Sequence, residues 1–172
     1  MADAQSTDET PAAAAQTEDQ TVDYINTKLK GANQTDPTWF FDAFQKVEDH
    51  VYLLTQYMIR QVPGMPGSAT DNFGYQFDMR KMGALTASQE KLFLSDQSGV
   101  MTVYCDNLAG NCITSTECFD ACTDRTTKTT GSLWVNIGGL AGEDQTRIRR
   151  AYLHLKELSP TSIAADPFDG PK

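Results

Sequence analysis

Residues 37–60 read PTWFFDAFQKVEDHVYLLTQYMIR, and the fold turns on this stretch. Val51, Leu53, Thr55, Tyr57 and Ile59 alternate with more polar neighbours, the period-two pattern of a strand that buries one face. The preceding residues admit two readings. Asp36 before Pro37 suits a helix start, with Phe40, Phe44 and Val47 at helical spacing. The aromatic content of Trp39 to Glu48, followed at once by a strand, suits a strand instead. The strand reading is preferred. It makes Glu48-Asp49-His50 a tight turn between two antiparallel strands.

On the N-terminal side, Thr17-Glu18-Asp19-Gln20 fits a capping box, and Val22, Ile25 and Leu29 follow on one helical face. A helix is expected over 18–30, stopped by Gly31. Residues 1–16 are small, polar and acidic, too poor in apolar area to offset the entropy of ordering, and are expected to be a disordered tail.

On the C-terminal side, Pro63 to Gly67 (PGMPG) is loop. Strands are expected at 73–79, 91–95, 100–105, 112–116 and 132–137. Residues 100–105 and 112–116 are expected to form a hairpin across the turn-rich 106–111 segment. The 117–130 stretch reads as a long connection. A final helix from about Gly142 to Leu158 carries the stripe Ile148, Ala151, Tyr152, Leu155 and Leu158, with Glu143 and Asp144 where the helix dipole favours negative charge. Residues 159–172, with Pro160, Pro167 and Pro171, make an extended tail. The expected domain therefore covers 17–158. Its expected class is α+β, a seven-stranded antiparallel barrel or sandwich with an N-terminal helix and a C-terminal capping helix.

This order of elements resembles the pleckstrin-homology-like barrel. Thr21 to Leu29 (TVDYINTKL) resembles the first helix of small bacterial proteins opening with a TxDYIxxKL-type helix. Arg147 to Leu155 (RIRRAYLHL) is similar to their RxxxAxxHL-type closing helix. Those proteins imply no activity to carry over. Phosphoinositide binding, which a pleckstrin-homology barrel implies, meets an acidic first turn at Val47-Glu48-Asp49-His50 that repels phosphate.

The net charge is −9, and residues 1–20 hold five acidic residues and no Lys or Arg. The body is nearly balanced and has no cationic stripe, which disfavours nucleic acid as a partner. Arg147, Arg149 and Arg150 read as a solvated helix face paired with Glu143 and Asp144. No run approaches the 18 apolar residues of a membrane span, so no membrane insertion is expected.

Cys105, Cys112, Cys118 and Cys122 lack the paired knuckles of a structural zinc site, leaving disulfides ahead of free thiols and metal. Neighbours in sequence suggest Cys105–Cys112 and Cys118–Cys122. Oxidised, they place the chain in a periplasm or outside a cell; the absence of a signal-peptide pattern argues for cytoplasm unless such a segment has been removed.

Glu117, Asp120 and Asp124 lack the ligand spacing of a calcium loop. His50 reads as a solvated turn residue and His154 as a packing residue. No nucleophile–base, zinc-protease or phosphate-loop motif occurs, so no catalytic residue, metal or cofactor is assigned. Asp166-Pro167-Phe168 resembles short adaptor-binding tripeptides, but Phe168 is expected to tuck onto the domain. The expected function is a non-catalytic module binding a protein or peptide, with Trp134 as the candidate contact residue unless the first helix covers it, and Tyr24 and Trp39 under the same condition. The alternative is a disulfide-stabilised structural or envelope-associated protein without a dedicated ligand.

Overall fold

The computed structural model describes residues 16–32, 38–119, 122 and 124–160. The acidic opening, the Asp36-Pro37 cap, Asp120 and the tail beyond Pro160 lie outside these residues.

The strand reading of the deciding stretch holds. β1 (Trp39–Glu48) and β2 (Val51–Gln61) pair antiparallel, Glu48 opposite Val51. Between them His50 takes a left-handed φ of 59°, which closes the turn. β2 pairs with β3 (Ser68–Asp78), β3 with β5 (Ile113–Phe119), and β5 with β6 (Asp124–Thr130). The order is β1-β2-β3-β5-β6, all antiparallel. The remaining strands, β4 (Val100–Tyr104) and β7 (Ser132–Asn136), form a separate two-stranded ribbon. At its foot the backbone crowds: a Cβ on Gly99, whose φ is +78°, would lie 2.9 Å from the Gly138 Cα.

The architecture is α+β, but the two sheets do not join into a closed barrel. Three further expectations are corrected. Residues 91–95 are not strand but the second half of α2 (Ala87–Ser95), fixed by a capping box between Thr86 and Gln89. Residues 100–105 and 112–116 do not pair with each other; β4 takes β7 as its partner, and β5 lies between β3 and β6. Most of the supposed 117–130 connection is strand, the end of β5 and all of β6.

α1 (Glu18–Ala32) starts at the expected box, with Thr17 and Gln20 exchanging hydrogen bonds of 2.9 and 3.3 Å. It runs through Gly31 rather than stopping there, because Ala32 still finds a buried position. α3 (Gly142–Leu158) matches its expected span.

The core gathers Val22, Ile25 and Leu29 of α1, Phe44, Tyr52, Leu54, Tyr75 and Phe77 of the large sheet, Met101, Val103, Leu133 and Val135 of the ribbon, and Ile148, Tyr152 and Leu155 of α3. Helices and ribbon thus cover one face of the five-stranded sheet, and the stripe of α3 faces inward at Ile148, Ala151, Tyr152 and Leu155, while Leu158, expected to continue it, is exposed in the last turn.

Both disulfides join as expected, Cys105 to Cys112 and Cys118 to Cys122. The first has a role that a hairpin would not have given it. Cys105 ends the β4 side of the ribbon and Cys112 precedes β5, so the bond pins the ribbon to the large sheet across a Cα separation of 5.8 Å. Replacing both by Ala is expected to lower the unfolding free energy by about 2–2.5 kcal/mol, the chain-entropy value for so short a loop, read by denaturant titration under non-reducing conditions.

Candidate functional site

The two edges of the five-stranded sheet are treated differently. On β1, the Asn26 side chain of α1 accepts from the Phe44 N–H at 2.8 Å and donates to the Phe44 carbonyl at 2.5 Å, occupying the place of a neighbouring strand. On β6, Asp124 to Lys128 and Thr129 are exposed and Thr130 is half-buried. A strand with one side unpaired presents a row of N–H and C=O groups to any extended chain. β6 escaped the sequence reading because DRTTKTT has no apolar alternation: neither face of this edge strand meets the core.

A row of four aromatic rings runs from β7 and β1 across β3 to Phe119, the end of β5 that pairs with Asp124 of β6. Trp134 of β7 meets Trp39 edge-on at 4.9 Å, Trp39 lies 5.2 Å from Phe73, and Phe73 meets Phe119 edge-on at 6.5 Å. The two ends of the row are the open ones, Trp134 at 39% and Phe119 at 41% exposure. Trp134 does lie on the side of β7 away from Leu133 and Val135, and Trp39 is the ring that shields it. Ion pairs flank the row: Arg60 Nε to the buried Asp71 at 2.6 Å, and Lys128 to Glu117 at 2.5 Å.

The remaining candidates are structural anchors. His50 is not a solvated turn residue. Its Nδ1 lies 3.0 Å from Ser159 Oγ and 3.7 Å from Glu18. Ser159 is 1% exposed, and its hydroxyl also lies within donating distance, 2.8 Å, of the Leu155 carbonyl. Glu18 also accepts from Lys46 at 2.6 Å and from the Tyr52 hydroxyl. Burial raises the Glu18 carboxyl, but the Lys46 and Tyr52 hydrogen bonds together outweigh it and hold the group below its ordinary range. Burial, reinforced by Glu18, pushes the Tyr52 phenol far up. This cluster ties the start of α1, the β1–β2 turn and the end of α3. His154 Nε2 lies 2.8 Å from the Gln16 carbonyl.

Arg149 corrects the expected solvated face. Arg147 does pair with Glu143 and Asp144, but Arg149 is 0% exposed. It shares its helix side with Gln145 and Tyr152, against α2. Its Nη2 reaches Asp96 at 3.2 Å and the Val100 carbonyl at 3.1 Å, while Nε and Nη1 have no partner among the described residues. Among the described residues no three His, Cys, Asp or Glu side chains gather to hold a metal ion, and no helix is long and apolar enough to cross a membrane.

Comparison with family models, with curated proteins and with solved structures finds no match.

Proposed function

We propose that the protein is a non-catalytic module that binds an extended peptide segment of a partner protein at the free edge of β6, anchored by the aromatic row. The observation carrying this reading is the asymmetry of the sheet: β1 is capped at Phe44 by Asn26, whereas β6 has no second strand partner among the described residues and lies next to Phe119. An added strand forms main-chain hydrogen bonds with β6, and its alternate side chains fall on the face that carries Phe119. Trp and Phe at the exposed ends of a pre-packed row have the rigidity and area of interface hot spots, and the flanking ion pairs form a polar rim. Arg125 and Lys128 on the strand oppose indiscriminate edge-to-edge association. The two disulfides suit an oxidising compartment, and the proposed setting is a periplasm or the cell exterior.

The disulfides also suit the second reading, a structural or envelope-associated protein without a dedicated ligand. The discriminating experiment is selection from a displayed library of extended peptides, followed by affinity measurement on the wild type and on Trp134→Ala. Under the peptide-binding reading the variant loses at least about 30-fold in affinity, the loss of a hot-spot residue. It stays folded and loses less melting temperature than a truncation of a wholly buried core residue such as Ile148, since Trp134 is 39% exposed. A library yielding no binder supports the second reading, and a large drop in melting temperature makes Trp134 core.

A further inference from the structure

We propose that the outward face of the five-stranded sheet, opposite the core, is a binding site for a neutral oligosaccharide. This face carries a groove of about 590 Å³, within the range of about 300–1,000 Å³ typical of ligand sites.

The strand register sets out its floor. Tyr57, Asn72, Cys118 and Arg125 face one another across β2, β3, β5 and β6. The next row is Thr55, Gly74 and Thr116, and the third Leu53, Gln76 and Thr114. In the middle sits Gly74, whose backbone needs no glycine. An added Cβ would make only ordinary contacts, 3.8 Å to Leu53 and 4.0 Å to Thr55. The hollow at the centre is therefore room left over, not a packing requirement.

What surrounds the hollow fits a sugar better than other ligands. Among the described residues the side chains of Gln76, Thr114 and Thr116 have no hydrogen-bond partner, and their amide and hydroxyls both donate and accept, as sugar hydroxyls do. One wall is aromatic and already fixed in place: Tyr57 stacks on Phe40 with centroids 4.9 Å apart and planes 9° from parallel. A π-face of this kind attracts the weakly positive C–H bonds on the flat side of a pyranose.

The far end is closed by the Cys118–Cys122 disulfide, with Asn72 Nδ2 3.9 Å from Cys122 Sγ. In a chain of net charge −9, the charged groups lining this groove among the described residues are one of each sign, Asp42 and Arg125, and Asp42 already accepts from Thr55 at 2.9 Å. A polyanion would need a cationic floor and a polycation an acidic one. A purely apolar ligand would strand the amide and hydroxyls without partners.

The test is titration of the full-length ¹⁵N-labelled protein, disulfides intact, with tetrasaccharides of glucose, mannose, galactose and N-acetylglucosamine, followed by amide shifts. At least one is expected to bind saturably, with a Kd of about 1 mM or tighter, moving the amides of Tyr57, Asn72, Gly74 and Thr116. Gln76→Ala removes an amide from the floor, and Gly74→Leu fills the hollow. Each is expected to weaken binding at least tenfold while leaving the rest of the spectrum folded. No saturable shift with any of the four sugars, shifts centred on another surface, or full affinity in the folded Gln76→Ala variant would overturn the proposal.

Discussion

Asp96→Asn is expected to cost about 3 kcal/mol of folding free energy, although Asp96 is 44% exposed and the substitution removes no apolar contact. The cost arises at the other end of the pair. Arg149 is wholly buried, and the Asp96 carboxylate at 3.2 Å is its counter-ion. Asparagine keeps the oxygen that accepts from the Ser98 N–H at 2.8 Å, so the local turn survives while a guanidinium is left buried with the Val100 carbonyl and the Phe93 ring.

Arg149→Met is expected to lie within about 1 kcal/mol of wild type, because it removes a buried charge with two unpartnered nitrogens and lets Asp96 return to water. The double variant then recovers most of the loss, and the non-additivity measures the coupling. The pH dependence has a fixed sign. The Ser98 backbone N–H, with its hydroxyl and Arg149, holds the Asp96 carboxyl below its ordinary range. Its contribution is therefore present above an unfolded pKa of about 3.9 and is lost as the pH falls through the folded value. Wild type and Asp96→Asn should converge in stability as the solution is acidified. A constant gap down to the acid limit would assign the cost to something other than charge.

Ile148→Ala is the second large effect, expected at about 4 kcal/mol. Ile148 is 0% exposed and borders a residual void of about 20 Å³ that it shares with Leu29, Phe44, Leu54, Val103 and Leu133. These residues come from α1, both sheets and α3, so the site cannot collapse around the missing atoms without moving several elements. The new cavity joins the old one, which puts the cost towards the upper part of the range for large-to-small core changes. Two positions along the helix, exposed Arg150→Ala should stay within about 0.5 kcal/mol. Equal effects at the two positions would mean that the stripe of α3 does not seal the sheet.

The parts of this fold legible in sequence are those where burial has a local period. β2 is recognisable as a strand from the alternation of Val51, Leu53, Thr55, Tyr57 and Ile59, but the face it buries is the other one: Tyr52, Leu54 and Gln56 turn inward, and those five stay half-buried on the outer side. α3 shows its stripe, and the cysteine partners are close enough along the chain to be paired by neighbourhood. Where one-sided burial is lost, so is the signal. β6 is wet on both faces, and its Thr-rich sequence looks like a loop. α2 buries no residue, so Lys91 to Ser95 offers only a short apolar run, and the Thr86–Gln89 box was the one available mark of a helix. Arg149 shows that three arginines in four residues need not share an environment: one extra step around the helix takes a charged group from water into the seam with α2.

The candidate site was legible singly at Trp134 and Trp39; Tyr24, the third ring singled out, packs against the core instead. Trp134, Trp39, Phe73 and Phe119 come from strands far apart in sequence, so no spacing joins them. The role of Asn26 depends on a hydrogen-bonding geometry with β1 that no motif encodes. For the same reason the Cys105–Cys112 bond was paired correctly but placed in the wrong element. Local spacing fixes which sulfurs meet, whereas the strand partners of β4 and β5 are set by contacts far along the chain.

The most direct measurement is amide hydrogen exchange on the full chain, with and without a library-selected peptide. The open edge and its aromatic anchor require new protection confined to Asp124–Thr130 and its surroundings, abolished at the same peptide concentration by Trp134→Ala. Protection appearing on β1 or the helices instead, or β6 exchanging unchanged while the peptide is bound, would contradict the account.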